Sequence, residues 1–216
     1  MAEQISLFGE PENTSSPELS PSDLGPRILY FDLETQKGAK EVGGWSNIHL
    51  MKLAVGVVWD SLEQRFFVYR EADAKDLTEK LKSADVVVGF NVVGFDYTVL
   101  QPYSSFDLHQ ITTFDMLLDI KKLLGFRLSL NHLAEHTLSA KKSADGLLSL
   151  QWFKEGKIDK IIEYCKMDVE ITRDLFLFGE KHGFVKYQSK SGNLQQLSVD
   201  WNGSQLISGP EAPTQS

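Results

Sequence analysis

The apolar residues of this chain form short continuous runs in its first half and helix-spaced stripes in its second half. Runs rich in β-branched and aromatic residues predict buried strands, and polar or glycine-containing stretches separate them. The predicted strands cover residues 27–35, 48–59, 65–70, 84–90 and 111–115. The run at 84–90 holds three consecutive valines, which indicates a central strand. The stretch 36–47 holds three glycines and predicts a long hairpin loop.

Helical spacing of apolar residues marks most of the remaining elements. The predicted helices cover 73–83, a segment that begins near Phe95, a segment from Met116 to Gly125, 130–138 and 157–182. Gly125 is a stop signal for the third of these helices, and Ser129 is an N-cap signal for the fourth. Two short strand-like pieces follow at 184–188 and 196–200. Three antiparallel-type strands followed by alternating helices and strands predict an α/β fold, with a mixed sheet and flanking helices.

Composition separates two tails from a folded part. Four of the seven prolines lie in residues 11–26, among serine and glutamate, and such a segment cannot bury enough apolar surface to fold. We therefore expect a disordered tail over 1–26, a folded domain over 27–205 and a flexible tail over 206–216. Within the first tail, QISLF at 4–8 is an apolar segment that a disordered composition does not explain.

Charge and cysteine usage narrow the class of protein. The 216 residues carry a net charge of −8, of which five acidic residues and no Lys or Arg lie in 1–26, so the rest carries −3. This balance does not favour broad binding driven by phosphate contacts. The single cysteine excludes an intrachain disulfide. The first residues lack the basic segment and the long apolar segment of a secretory signal peptide, and no apolar run is long enough to span a bilayer. We expect a cytoplasmic protein with no membrane partner.

Acidic residues at the ends of predicted strands and on the long helix are the candidate chemistry. Asp32 and Glu34 are two residues apart on a strand and therefore point to one face. Asp96 follows a predicted strand within GFNVVGFD, where Gly89 and Gly94 permit a tight turn. Tyr164 and Asp168 share a helix face at i and i+4. Taken singly, the first two motifs have structural alternatives: an exposed strand exit for the pair on the strand, and for Asp96 an acid favoured by a helix dipole.

Together these motifs resemble the DEDDy 3′–5′ exonuclease superfamily, and within it the proofreading exonuclease domain of family B DNA polymerases. The likeness covers about 27–180 and includes SLNHLAEHTL between the second and third motifs. It implies a ribonuclease H-like (DnaQ-like) fold in which Asp32, Glu34, Asp96 and Asp168 hold two Mg²⁺ or Mn²⁺ ions. Such hard cations prefer carboxylate oxygens, and two of them catalyse phosphodiester hydrolysis.

The same resemblance implies roles for three further residues. Tyr164 would orient the attacking water, and Asn91 and Phe95 would contact the terminal nucleotide, although both also suit a turn and a core. The expected partner is a single-stranded 3′ end, with DNA favoured over RNA. An exoribonuclease of the same superfamily and a non-catalytic adaptor with a nuclease fold remain alternatives. The full set of acids argues against the adaptor, because an adaptor does not need carboxylates held together.

The apolar segment in the first tail resembles the pentapeptide by which bacterial replication and repair proteins bind the β sliding clamp. Gln4, Ser6, Leu7 and Phe8 fit that pattern, and Ile5 replaces its commoner leucine. An exposed Leu-Phe pair on a flexible tether suits insertion into a pocket and would raise the local enzyme concentration at DNA. This resemblance favours DNA as the substrate. The alternative is a tail with two incidental apolar residues.

Three other features have competing interpretations. His132 and His136 in HLAEH match a zinc-peptidase pattern, but leucines of the same helix already indicate a packing role. Trp45 either stacks on a base or anchors the glycine-rich loop. Cys165 lies in the buried stripe of the long helix, where we expect it to serve as inert packing.

Overall fold

The computed structural model describes residues 25–140 and 146–203. The sequence motif 4–8, with Gln4, Leu7 and Phe8, lies outside these residues. The strands are β1 Ile28–Thr35, β2 Leu53–Asp60, β3 Arg65–Arg70, β4 Val86–Gly89, β5 Thr113–Asp115, β6 Phe184–Gln188 and β7 Leu194–Ser198. The helices are α1 Ala74–Lys82, α2 Tyr97–Leu100, α3 Met116–Leu124, α4 Leu130–Leu138, α5 Gly146–Lys154 and α6 Ile158–His182.

A five-stranded mixed sheet with the order β3-β2-β1-β4-β5 forms the centre of the molecule. β1, β2 and β3 pair antiparallel, whereas β4 pairs parallel to β1 and β5 parallel to β4. β6 and β7 form a separate antiparallel pair. The predicted α/β fold with a mixed sheet and flanking helices is confirmed.

Helices cover both faces of the sheet. Because the side chains of β1 alternate between the two faces, this strand contributes to the core on each side. Tyr30 contributes to the core beneath α6, and Leu29, Phe31 and Leu33 contribute to the core on the α1 side. Asp32 and Glu34 are two and four residues after Tyr30 on the strand, so their side chains lie on the same face as that of Tyr30. The alternation therefore directs both acids to the face that α6 covers.

One end of the sheet is tied to α1 by a buried acid with cationic partners. Asp60, at the end of β2, accepts hydrogen bonds from Arg27 at 2.6 Å and from Lys80 at 2.7 Å, and its side chain has no exposed surface. Burial alone would raise the pKa of Asp60, but the hydrogen bonds from Arg27, Lys80 and two backbone N–H groups lower it to about 2. Asp60 is therefore a structural acid whose charge the fold neutralises.

The structure differs from the sequence prediction mainly in the connection from β1 to β2. The predicted strand at 48–59 begins only at Leu53, because two 3₁₀ segments, Ala39–Val42 and Trp45–Leu50, occupy the connection. The predicted hairpin loop at 36–47 is thus partly helical. The second strand-like piece is placed at Leu194–Ser198 rather than 196–200.

Helix α5 is the one long element of the described ranges that the apolar pattern did not predict. Its sequence, GLLSLQWFK, has apolar residues on most sides and therefore no clear stripe. Of the helices in 25–140 and 146–203, none has both the length and the apolar character needed to cross a membrane.

Candidate metal centre

The carboxyl ends of three strands meet at one edge of the sheet and bring the candidate acids there. β1, β4 and β5 run parallel, so their ends lie side by side. Asp32 and Glu34 occupy the end of β1, and the turn after β4 carries Asp96 in a π-helical segment, Val92–Asp96. In open α/β sheets this edge is where ligands commonly bind.

Helix α6 crosses this edge and adds a third carboxyl group to the two on β1. Ligand oxygens of Asp32, Glu34 and Asp168 lie within 4.8 Å of one another. Asp168 is only 9% exposed, whereas Asp32 and Glu34 are half-buried. This cluster, which we call the acid cluster, is the one group of metal-ligating side chains found among the described residues.

The acid cluster strongly disfavours its own ionised state. Burial raises the pKa of Asp32 well above its usual range, and the charges of Asp168 and Asp96 raise it further. Burial likewise raises the pKa of Glu34. A hydrogen bond from the Ser149 hydroxyl opposes this shift, and the net result is a pKa of about 8. Carboxylates placed this way repel one another unless protons or a cation lie between them. The donor set of three hard oxygen groups fits a divalent metal ion.

Asp96 lies beside the acid cluster rather than within it. It is 4% exposed, and burial raises its pKa well above the usual range. The charge of Asp96 raises the pKa of Asp32, and the charge of Glu34 raises the pKa of Asp96. The structure therefore brings all four predicted acids into one electrostatic unit, with three in direct ligand range and Asp96 adjacent.

Asp115 positions the turn that carries Asp96, and sequence reasoning did not single it out. Its carboxylate accepts hydrogen bonds from the backbone N–H groups of Asn91 at 2.8 Å and Val93 at 3.0 Å. It also caps α3 by accepting from Leu117 at 3.0 Å. An Asp directly before a helical stripe is an N-cap signal, so the second role could have been found. The link to the turn could not, because 22 to 24 residues separate the partners.

The other predicted site residues lie around the same place. Tyr164, 8% exposed, lies one helical turn before Asp168, and its ring meets Trp152 of α5 edge to face at 6.1 Å. Asn91 adopts the left-handed conformation at φ 69°, and its side-chain oxygen accepts from Arg127 at 3.2 Å. Asn91 and Phe95 both line a cavity above the acids.

That cavity, which we call the acid cavity, has a volume of about 730 Å³. Its lining includes Asp32, Glu34 and Asp96, together with Phe90, Trp45 and Leu147. Ligand pockets typically measure roughly 300–1,000 Å³ and combine apolar walls with a few polar groups. The acid cavity therefore has the size and lining of a ligand site.

Two contacts that the sequence did not reveal support the acid cluster. The Ser149 hydroxyl of α5 hydrogen-bonds to Glu34, and Ser149 is almost fully buried. The Cys165 thiol lies 3.4 Å from Oδ2 of Asp32 and 3.3 Å from its backbone oxygen. Cys165 is buried as expected, but it also contacts a member of the cluster. Both residues are positioning groups for the acids.

The paired histidines are not part of any metal cluster in the described part of the chain. His132 and His136 stack edge to face at 4.6 Å, and His132 Nε2 accepts a hydrogen bond at 3.0 Å from the backbone N–H of Gln188 in β6. The packing interpretation of HLAEH therefore accounts for both side chains.

Comparison with known proteins finds solved structures with a similar fold, but no similar sequence family. No family model matches the sequence, and no curated protein matches it. Seventy-eight chains of solved structures match. One of them is the family B DNA polymerase from the hyperthermophilic archaeon Pyrobaculum calidifontis, with a TM-score of 0.55 and 18% sequence identity. The match covers 73% of this chain and 24% of that chain, so this protein spans about a quarter of the polymerase.

At this identity the likeness shows a shared fold. Together with the five-stranded sheet and its helices, it confirms the predicted α/β, ribonuclease H-like fold class. The acid cluster could hold a metal ion at the edge of that sheet.

Replacing Asp32 with asparagine should stabilise the metal-free protein at alkaline pH. Because the pKa of Asp32 is raised on folding, the folded protein binds this proton more tightly than the unfolded chain does. Ionising Asp32 therefore costs folding free energy as the pH rises from about 4. In EDTA at pH 8, Asp32→Asn should melt at least about 3 °C above wild type, which corresponds to about 1 kcal/mol for a chain of this size. Thermal denaturation followed by circular dichroism measures the difference, which should nearly vanish at pH 4.

Glu170→Gln is the matched control, because it neutralises an exposed acid of the same helix. Its melting temperature should equal that of wild type at both pH values. A wild-type protein at least as stable as Asp32→Asn at pH 8 in EDTA would contradict this account of the site.

Proposed function

We propose that this protein is a metal-dependent 3′–5′ exonuclease that hydrolyses nucleic acid from its 3′ end. The observation that carries the proposal is the convergence of Asp32, Glu34 and Asp168 within 4.8 Å, next to a cavity that Asp32, Glu34 and Asp96 line. These are the positions at which the sequence resembles DEDDy exonucleases. One of the solved structures that share the fold is a family B DNA polymerase.

The four acids are the proposed ligands of two Mg²⁺ or Mn²⁺ ions. Asp32, Glu34 and Asp168 would hold one ion, and Asp32 with the adjacent Asp96 would hold the other. Two such cations would activate the attacking water and stabilise the leaving oxygen of a phosphodiester. The water oxygen would bond to phosphorus while the bond from phosphorus to the 3′ oxygen of the penultimate nucleotide breaks. That 3′ oxygen takes up a proton, and the product is a 5′-mononucleotide.

Tyr164 is the proposed positioning group for the water. It lies on the same face of α6 as Asp168, and the edge of Trp152 fixes its ring. Asn91 and Phe95 are the proposed contacts to the terminal nucleotide, because both line the cavity that leads to the acids. Ser149 and Cys165 act through Glu34 and Asp32.

Nuclease assays on three substrates test the function. We expect wild-type protein with Mg²⁺ or Mn²⁺ to release 5′-mononucleotides from labelled single-stranded DNA, blunt duplex DNA or single-stranded RNA, with single-stranded DNA preferred. Asp32→Ala should lower the rate at least roughly a thousandfold, because the residue is shared by both proposed ion sites. Gel electrophoresis of the shortened 5′-labelled strand measures the rate.

Asp159→Asn is the control variant, since it removes an exposed acid from the first turn of α6 and should keep full activity. Hydrolysis of the RNA but of neither DNA substrate would show that the protein is an exoribonuclease. No release from any substrate with either metal would refute it.

We further propose that residues 4–8 bind a bacterial β sliding clamp. Gln4, Leu7 and Phe8 match the clamp-binding pattern, and the domain from Arg27 onward has a net negative charge that gives it little general attraction for DNA. A tethered clamp-binding peptide would raise the enzyme's effective concentration at its substrate. The proposal is DNA-directed, because sliding clamps encircle DNA.

Replacing Leu7 and Phe8 together with alanine should abolish retention on clamp-loaded circular DNA. The apolar pair supplies the buried contact in the proposed complex, so its removal should lower clamp affinity at least tenfold. Co-sedimentation with clamp-loaded DNA measures retention, and hydrolysis of a short free oligonucleotide should be unchanged. Retention equal to wild type would show that the apolar pair is incidental.

A further inference from the structure

Trp45 is a large aromatic side chain that the fold leaves in solvent at the mouth of the acid cavity. Its side chain is 70% exposed, whereas the structure buries Trp201 to 2%. Its ring meets the ring of Phe95 edge to face, with 6.5 Å between the ring centroids. A loop anchor would be covered by the domain, so this exposure argues against the anchoring interpretation of Trp45.

The backbone on both sides of Trp45 is braced by hydrogen bonds and by two glycines with positive φ. The two residues before it, Gly43 and Gly44, have φ values of 84° and 119°, which disfavour any residue with a side chain. Gly44 donates its N–H to Ala39 at 2.7 Å, and the Asn47 side chain donates to Val42 at 2.8 Å. These bonds join the two 3₁₀ segments into one braced connection. The backbone that carries the ring is therefore braced before any ligand binds.

The surroundings of Trp45 fit a nucleotide base with its phosphate directed inward. Phe95 beside it, and Leu147, which is 71% exposed and lines the same cavity, give the mouth apolar walls. Asp32, Glu34 and Asp96 line the same cavity, and Lys40 lines it as well. An aromatic face next to a metal-ligating floor is complementary to a base on one side and a phosphodiester on the other.

We propose that Trp45 is the stacking platform for an unpaired base near the 3′ end of the substrate, and that it selects single strands over duplex ends. This inference rests on the proposed nuclease function and deepens it. A base can stack on the indole ring only after it leaves its partner strand. Stacking uses the π-face that every base has, so the platform is indifferent to sequence.

Steady-state kinetics on a 5′-labelled single-stranded decathymidylate tests the platform. Base stacking contributes roughly 1–3 kcal/mol, so Trp45→Ala should raise KM roughly 5–100-fold. We expect kcat to stay within about twofold, because Trp45 is not one of the proposed metal ligands. Trp45→Phe should restore most of the affinity. On a blunt hairpin duplex, Trp45→Ala should leave KM nearly unchanged, so the preference for single strands falls by the same factor.

Leu194→Ala is the matched control, because it removes another exposed apolar side chain, 58% exposed, from β7. It should change neither KM nor kcat. A KM for single strands within twofold of wild type in Trp45→Ala would overturn the proposal.

Tryptophan fluorescence separates failure of the platform from failure of the proposed function. In an Asp32→Asn background with Mg²⁺, the decathymidylate should quench emission, and adding Trp45→Phe should remove most of that quenching. If wild-type protein hydrolyses no oligonucleotide but the quenching depends on Trp45, the nuclease proposal fails and the platform stands. If hydrolysis proceeds and the quenching is independent of Trp45, the platform is refuted.

Discussion

Repulsion among carboxylates that burial keeps from water is the constraint on which the candidate site depends. The contrast with Asp60 shows what the fold does with a purely structural buried acid. Asp60 receives hydrogen bonds from Arg27 and Lys80, and its pKa falls to about 2. At Asp32 the dominant influences after burial are the charges of Asp168 and Asp96, and its pKa rises. A fold that keeps such an arrangement loses stability unless a cation binds there, which is the cost that metal sites commonly carry.

Distant parts of the chain assemble this site through the parallel half of the sheet. β1 supplies two acids, the turn after β4 supplies Asp96, and α6 brings Asp168 over the sheet edge. Two of these contributions have a support of their own: Asp115 holds the turn, and Ser149 holds Glu34. The connection between β1 and β2, which includes Trp45, borders the cavity above. The acids and the apolar mouth thus form one continuous site.

The sequence predicted the parts of this arrangement that follow from local periodicity. Alternation along β1 placed Asp32 and Glu34 on one face, and helical spacing placed Tyr164 with Asp168. Contacts set by tertiary packing had no such signal. Ser149 lies 115 residues from Glu34, and α5 shows no apolar stripe that would mark its buried side. The late start of β2 was missed because Ile48 and Leu50 are as apolar as strand residues, although backbone bonds around the glycines make them 3₁₀ helical. The exposure of Trp45 could not be read from its identity.

Binding of Mn²⁺ tests the central claim, that these acids are gathered to hold divalent cations, without relying on activity. Titrating Mn²⁺ into the protein at pH 8 and following the free ion by electron paramagnetic resonance gives the number of sites and their affinities. We predict two sites in the wild type, loss of at least one in Asp168→Asn, and weaker binding at pH 6, where protons compete for Glu34. Mn²⁺ binding that is absent from the wild type, or that is unchanged in Asp168→Asn, would contradict the account.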